Sequence, residues 1–380
     1  LERAPGSEPL LVVGQRRPVV PRPEQARALP RVPFVARFGV GQRQVAQKGL
    51  RVEADRRFLV VKEAQVPVDI AAKLVPHEHM GAQGDQVIAS LARFLDVGGK
   101  LPLSLSRPIG QTLGRTAVAL LPRSRKRIRT HLEIAFPDLD QSQRRKIEHG
   151  SARHFGLMLA EVAWLWHAQR HDVENLCELE GVENFFEALE GGRGIIFTTG
   201  HCGNWEILSA RLPIAGVPLT TAARQLDDPR LDKLAIDLRS RFGTEIVLRG
   251  PAAGKKMIRS LAGNRVTALL IDQDIRDIPG VFVPFFGRPA WTPSGGAMLA
   301  LRRGCPVIPG FIHRRPDDTH TAEIHPPLPI PVDGSLEDRV EELTSAATAV
   351  IERQVRAHPE QWVWMHRRWR TQPEERSAEA

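Results

Sequence analysis

Two residues in the middle of the chain have the types and spacing for proton transfer: His201 and Glu206, within Gly194-Ile-Ile-Phe-Thr-Thr-Gly-His-Cys-Gly-Asn-Trp-Glu206. An imidazole can take a proton from an alcohol, and a carboxylate beside it can fix its tautomer and stabilise the imidazolium that forms. The alcohol would then attack an activated acyl group directly, with a base that contributes on the order of 10²–10⁴-fold. On one continuous helix, five positions turn about 500°, so the two side chains would diverge. They meet only if the chain turns between them, and the sequence provides that turn. The apolar, β-branched run 195–199 predicts a buried strand, and Gly200 breaks it. Gly203 gives a flexible corner, and Asn204 is a good N-cap for a helix from Trp205 to about Leu212. Glu206 then lies in the first turn, where the helix dipole favours a carboxylate. A polar, Gly-rich cluster after a buried parallel strand is where α/β proteins hold their ligands. The competing structural reading is a buried, satisfied histidine and a surface glutamate.

Cys202 offers a second chemistry, a thiol nucleophile with His201 as its base. Adjacent residues in an extended segment point to opposite sides, which argues for a packing role instead. No His-Glu-x-x-His and no paired Cys-x-x-Cys occur, and the three cysteines lie far apart, so neither a metal site nor a cofactor is expected. No Gly-x-Gly-x-x-Gly follows a strand and no Walker A is present, so no nucleotide site is expected either.

The elements that must position these residues follow from the rest of the chain. At 380 residues and 42% hydrophobic, it suits one large globular domain or two smaller ones. A net charge of +9 and a pI near 10.1 imply an acidic partner. Three scattered cysteines suit a reducing compartment. Residues 1–86 are rich in Arg, Pro, Val and Gln, show no sustained helical period and carry no assigned chemistry. A start at Met80, with an over-extended reading frame before it, is one reading of this segment. A loosely structured basic extension is the other.

Residues 87–180 read as helical. The stretch 87–97 is amphipathic, and 101–121 is mostly apolar but interrupted by Arg107, Pro108 and Arg115. No run of 18 apolar residues occurs, so a helix lying in a membrane interface fits better than one that spans it. The basic run 123–129 would face anionic head groups or, alternatively, be a solvated helix face. A long helix is expected over 141–166. In residues 181–373, apolar runs at 195–199, 217–222, 245–248, 266–271, 281–286 and 306–312 mostly alternate with helical patterns. That alternation predicts an α/β fold with a mixed, largely parallel sheet flanked by helices, followed by a tail at 374–380.

The motif Gly-His-Cys-Gly-Asn-Trp-Glu resembles the His-x4-Glu/Asp motif of the lipid A biosynthesis lauroyl/myristoyl acyltransferases, in which Phe is common where Cys202 stands. Arg224 and the Gln225-Leu-Asp-Asp-Pro229 that follows resemble the family's Arg-Pro-x-Asp-Asn-Pro. Asp272-Gln-Asp274 matches its Asp-x-Asp at a strand end, and Gln361-Trp-Val-Trp-Met-His-Arg-Arg-Trp its Gln-Tyr/Trp-x-Trp-x-His-Arg-Arg-Phe. The similarity runs over residues 91–373. It implies a glycerolipid acyltransferase-like fold and transfer of a fatty acyl chain from an acyl carrier protein thioester to a hydroxyl of a lipid A precursor or related glycolipid. His201 and Glu206 would be catalytic. Asn204, Arg224, Arg239, Asp272, Asp274, His366, Arg367 and Arg368 would bind substrate, with Arg224 and Arg239 binding phosphate or stabilising developing negative charge. The enzyme would sit on an anionic membrane, at the cytoplasmic face of the inner membrane. The rival readings are a Cys202-dependent thiol hydrolase and a basic binding protein without catalysis. Nucleic acid is not the expected partner, since no zinc module, helix-turn-helix or single-strand platform is present.

Overall fold

A computed structural model of the chain describes Arg93 and residues 95–226 and 228–374. The readings of residues 1–86, the start at Met80 and most of the helix at 87–97 lie outside the described residues, as do residues 375–380 of the tail.

Strand β2 (Ile195–Thr199) is the centre of the fold, and all five of its residues are buried. Strand side chains alternate between faces. Ile195 and Phe197 therefore enter one core, with helices α3 (Gln141–Leu165) and α6 (Trp205–Ile214). Ile196 enters another, with α9 (Gly295–Arg303) and α10 (Leu336–Ala357). Burial on both faces is why β2 reads as a continuous apolar run rather than an alternating one. The seven-stranded sheet has the order β1-β9-β8-β2-β5-β3-β4. Its strands are β1 (Cys177–Glu180), β3 (Leu219–Ala223), β4 (Glu245–Leu248), β5 (Val266–Leu270), β8 (Val307–Arg314) and β9 (His320–Ile324), together with β2. Every pairing is parallel except β8 with β9.

Three strands escape the sequence reading. β1 is four residues with two glutamates, β9 begins on a histidine, and β7 (Arg288–Pro293) contains two prolines. The apolar run at 281–286 also needs correction. As β6 (Gly280–Phe285) it pairs with β7 in a separate hairpin rather than with the main sheet. The hairpin turns on Phe286 and Gly287, both at positive φ, as a two-residue primed turn requires.

Helix α1 (Leu103–Leu120) lies against α3 through glycines. A Cβ on Gly110 would overlap the Gly156 carbonyl, and one on Gly114 would sit 2.7 Å from the Gly156 nitrogen. The backbones meet with no side chain between them, so the small face of α1 is fixed inward. Leu105, Ile109, Leu113 and Leu120 face outward and are exposed. No helix among the described residues is long and apolar enough to cross a membrane. In α2 (Pro122–Ala135), part of the basic run turns inward rather than toward solvent. Arg125 and Arg129 both donate to Glu148, and Arg127 donates to the Met365 carbonyl. Arg123 and Lys126 remain exposed.

Candidate active site

The predicted strand–turn–helix is present. β2 ends at Thr199, Asn204 accepts from the Ile207 N–H as N-cap of α6, and Glu206 lies in the first turn. Gly203 takes φ +59°, and its α-carbon packs so close to the Ile312 carbonyl that a Cβ would overlap it. The corner accepts glycine alone on both counts.

The partner of His201 differs from the expected one. Its Nδ1 is 2.7 Å from Oδ1 of Asp272, and its backbone N–H donates to Oδ2 of the same residue at 2.8 Å. Glu206 instead takes a two-pronged ion pair from Arg239 of α7 (Pro229–Ser240), with Nη2 to Oε1 at 2.6 Å and Nε to Oε2 at 2.9 Å. The reason is sheet register. β2 and β5 pair in parallel, Ile195 opposite Val266 and Thr199 opposite Leu270, an offset of 71. The same offset carries past the strand ends and sets Asp272 beside His201.

Burial opposes ionisation of Asp272. The His201 ring, the His201 N–H and the Trp362 indole, 2.8 Å from Oδ2, outweigh it and hold the carboxyl at about 2. An ionised Asp272 accepts from Nδ1–H, which leaves Nε2 of the neutral ring as the proton acceptor. Trp205 packs edge-on to the ring at 4.9 Å between centroids. His201, Glu206 and Arg239 also line a narrow pocket of about 60 Å³, whose inner walls are Phe197, Leu208, Leu212, Leu219 and Ala268. The site is thus a carboxylate-held histidine, an ion pair and an apolar slot at the carboxyl end of a parallel sheet.

The remaining expected residues divide. Arg224 follows β3, half-buried and outside the pocket lining. Asp274 is taken up by the C-terminal segment: its carboxylate accepts from the Thr371 N–H and hydroxyl at 2.7 and 2.8 Å. His366 accepts from the Asp274 N–H at 3.0 Å, and burial pushes its pKa well down. Arg368 is fully buried, with its Nη atoms donating to the Thr292 hydroxyl at 2.6 Å and the Trp291 carbonyl at 2.5 Å. Arg367 is exposed. The segment is not an edge strand. It follows a short 3₁₀ turn and runs irregularly, touching the site through a bridge between Trp362 and Cys202, the Trp362 indole on Asp272 and the Gln361 carbonyl on the Gly203 N–H.

Cys202 is buried, and burial and the neighbouring Asp272 push its thiol well above the usual range. A thiol held protonated is a poor nucleophile. Among the described residues, no group of three or more His, Cys, Asp or Glu is placed to hold a metal ion.

Sequence reasoning missed two parts of this site. Trp362 carries no site role in the sequence reading, whereas its indole N–H holds Asp272. Glu161 was not singled out, although a lone carboxylate among Phe155, Leu157, Met158, Val162 and Leu165 on a helix is itself a signal of a buried polar contact.

The fold is α/β, with a carboxylate-held histidine beside an apolar pocket at the carboxyl end of its parallel strands. The chain belongs to the bacterial lipid A biosynthesis acyltransferase family, whose sequence model matches residues 87–371. It is 30% identical to the lipid A biosynthesis lauroyltransferase of Escherichia coli K12 over 284 residues, 72% of this chain and 88% of that one. It is 27% identical to a lipid A biosynthesis acyltransferase of Haemophilus influenzae, covering 73% and 88%. A phosphatidylinositol mannoside acyltransferase of Mycobacterium tuberculosis is 28% identical over 50% of this chain and 58% of its own length. The protein is an O-acyltransferase.

Proposed function

We propose that this enzyme transfers a fatty acyl chain from an acyl carrier protein thioester to a hydroxyl of a lipid A precursor or a related phosphorylated glycolipid. The observation that carries the reading is His201, with Nδ1 on Asp272 and its ring on the wall of an apolar pocket. Nε2 takes the acceptor's hydroxyl proton as the oxygen attacks the thioester carbonyl. The C–S bond then breaks, and the imidazolium returns the proton to the leaving thiolate. Asp272 stabilises that imidazolium. The N-terminus of α6, where a helix's first N–H groups lack partners within the helix, would stabilise the developing oxyanion. The Glu206–Arg239 pair shapes the pocket mouth, and the slot between Phe197 and Leu212 takes the chain. The choice between lipid A and another glycolipid rests on relatives of both kinds.

Location at the cytoplasmic face of the inner membrane is part of the same reading. The outward leucines of α1, with Arg115, Arg123 and Lys126 exposed nearby, suit a helix lying in an anionic interface. The net charge of +9 suits an acidic carrier protein and a phosphorylated acceptor.

Detergent-solubilised enzyme, a labelled acyl carrier thioester and a phosphorylated glucosamine lipid test this directly. Labelled lipid formed by the wild type and not by His201→Ala is the expected result. Equal product from both removes His201 from the mechanism. Thioester loss to water without lipid product points to a hydrolase.

A further inference from the structure

One fully buried carboxylate is not used by the chemistry above. Glu161, near the C-terminal end of α3, has no exposed surface, yet it receives hydrogen bonds from side chains of four other segments. Arg107 of α1 donates through Nε and Nη2 to Oε1 at 3.0 and 2.8 Å. Arg314, at the end of β8, donates to Oε2 at 2.7 Å, and His320 of β9 shares a 3.1 Å contact with the same oxygen. The fourth is Asn204, whose Nδ2 is 2.9 Å from Oε2. The guanidinium groups can only donate, as can the amide NH₂ of Asn204, so the site demands an acceptor with no proton of its own. Burial works against that state. The His320 ring and the Arg314 guanidinium outweigh it and hold Glu161 well below the usual carboxylate range.

Asn204 is the contact that leads to the reaction. Its amide has one acceptor end and one donor end. With the nitrogen committed to Glu161, the oxygen must face α6, where it accepts from the Ile207 N–H. The cap thereby fixed stands three residues after His201 and two before Glu206. His154, also on α3, makes a second tie to the same turn, with Nε2 3.2 Å from the Gly203 carbonyl.

We infer that Glu161 is a positioning residue for acyl transfer: it orients the Asn204 amide and so the turn that presents His201, and through Arg107 it makes α1 part of the catalytic unit. It touches neither substrate nor reacting atoms. The inference rests on the acyl-transfer reading above. Because the outer face of α1 carries the exposed leucines, the helix suited to meet lipid stands two contacts from the cap: Arg107 to Glu161, and Glu161 to Asn204.

Glu161→Gln is the direct test, since it keeps the shape but turns an NH₂ toward donors. Turnover and KM are measured with the acyl carrier thioester and the glucosamine lipid. Folded sites are counted by titrating tryptophan fluorescence with the same thioester. The expected result is a kcat lower by about 30–100-fold, the size of a turn misplaced by about an ångström. KM stays within about threefold, and binding stoichiometry stays at the wild-type value. A purely structural role would lower stoichiometry and kcat together and leave kcat per binding site unchanged, which overturns the inference. Should Glu161→Gln not fold, Asn204→Ser serves: it keeps a capping oxygen for α6 and loses the donor to Glu161. The same split is expected there, and wild-type kcat per site overturns the inference. Failure of the wild type itself to transfer acyl groups strikes the proposed function instead, a distinguishable outcome.

Discussion

The turn after β2 and the C-terminal segment 361–371 both crowd histidine, tryptophan and charged side chains into a few positions, yet they use them differently. In the turn, His201 has one ring nitrogen committed to Asp272 while the ring lines a pocket. In the segment, polar groups bond to protein rather than face that pocket: the Arg368 Nη atoms on Trp291 and Thr292, His366 on the Asp274 N–H, and the Gln361 amide on both backbone groups of Arg314. Trp364 and Arg368 are fully buried. A side chain that faces a cavity can do chemistry, whereas one buried against protein partners holds structure. Trp362 joins the two regions, since its indole N–H lies on the carboxylate that orients His201.

That contrast can be broken most decisively at the turn. His201→Ala should lower kcat by about 10²–10⁴-fold, in the range of a lost general base, with the melting temperature little changed. Asp272→Asn should follow, at about 10²-fold or more, because an amide can hold the ring in the wrong tautomer. Wild-type kcat in Asp272→Asn would return the orienting role to Glu206. Trp362→Phe removes one of three donors to Asp272 and keeps the ring. A kcat loss of about tenfold, without loss of fold, would place the segment in support of the site.

Arg368→Met should do the reverse. It leaves the Trp291 carbonyl without its Arg368 donor, at about 1–3 kcal/mol, while the Thr292 hydroxyl keeps its bond to the Ala290 carbonyl, so denaturant midpoints fall while activity per folded molecule holds. A collapse of kcat in a fully folded Arg368→Met would dissolve the distinction. The smallest effect sharpens the same point by titration. Burial pushes His131 down to about 4, and its Nδ1 is 2.8 Å from the Trp364 carbonyl. Its folded pKa is below the unfolded value of about 6.5, so its stabilisation is complete above that pH and is lost as pH falls toward 4. His131→Asn should flatten the decline of the denaturant midpoint between pH 6.5 and 4. An unchanged slope would remove His131 from it.

Much of this architecture is legible in the sequence because it depends on local pattern. Asn204 after Gly203 marks a helix start, Ser335 three residues before Asp338 marks another, and the apolar run at 195–199 marks the central strand. What escapes is contact between distant segments. Nothing near His201 in sequence says that Asp272 rather than Glu206 will reach it, because strand register decides that. The strands at 177–180 and 320–324 are equally silent: the polar residues of β9 become strand because β8 offers an edge, and those of β1 because β9 then offers the next. Arg368 reads as a ligand for phosphate because side-chain type is local, while its burial is a property of the whole fold.

The register that joins His201 to Asp272 also shapes how such enzymes can drift. Between the two residues the chain makes α6, β3, α7, β4, a further helix and β5, joined by loops free to gain or lose residues. None of those changes moves the strand ends, so the spacing of 71 is an accident of this chain while the pairing is not. Relatives can therefore differ widely in the count between histidine and aspartate and keep the same dyad. A slip of β5 by one residue against β2 would preserve every loop and destroy it, because the next side chain points to the opposite face.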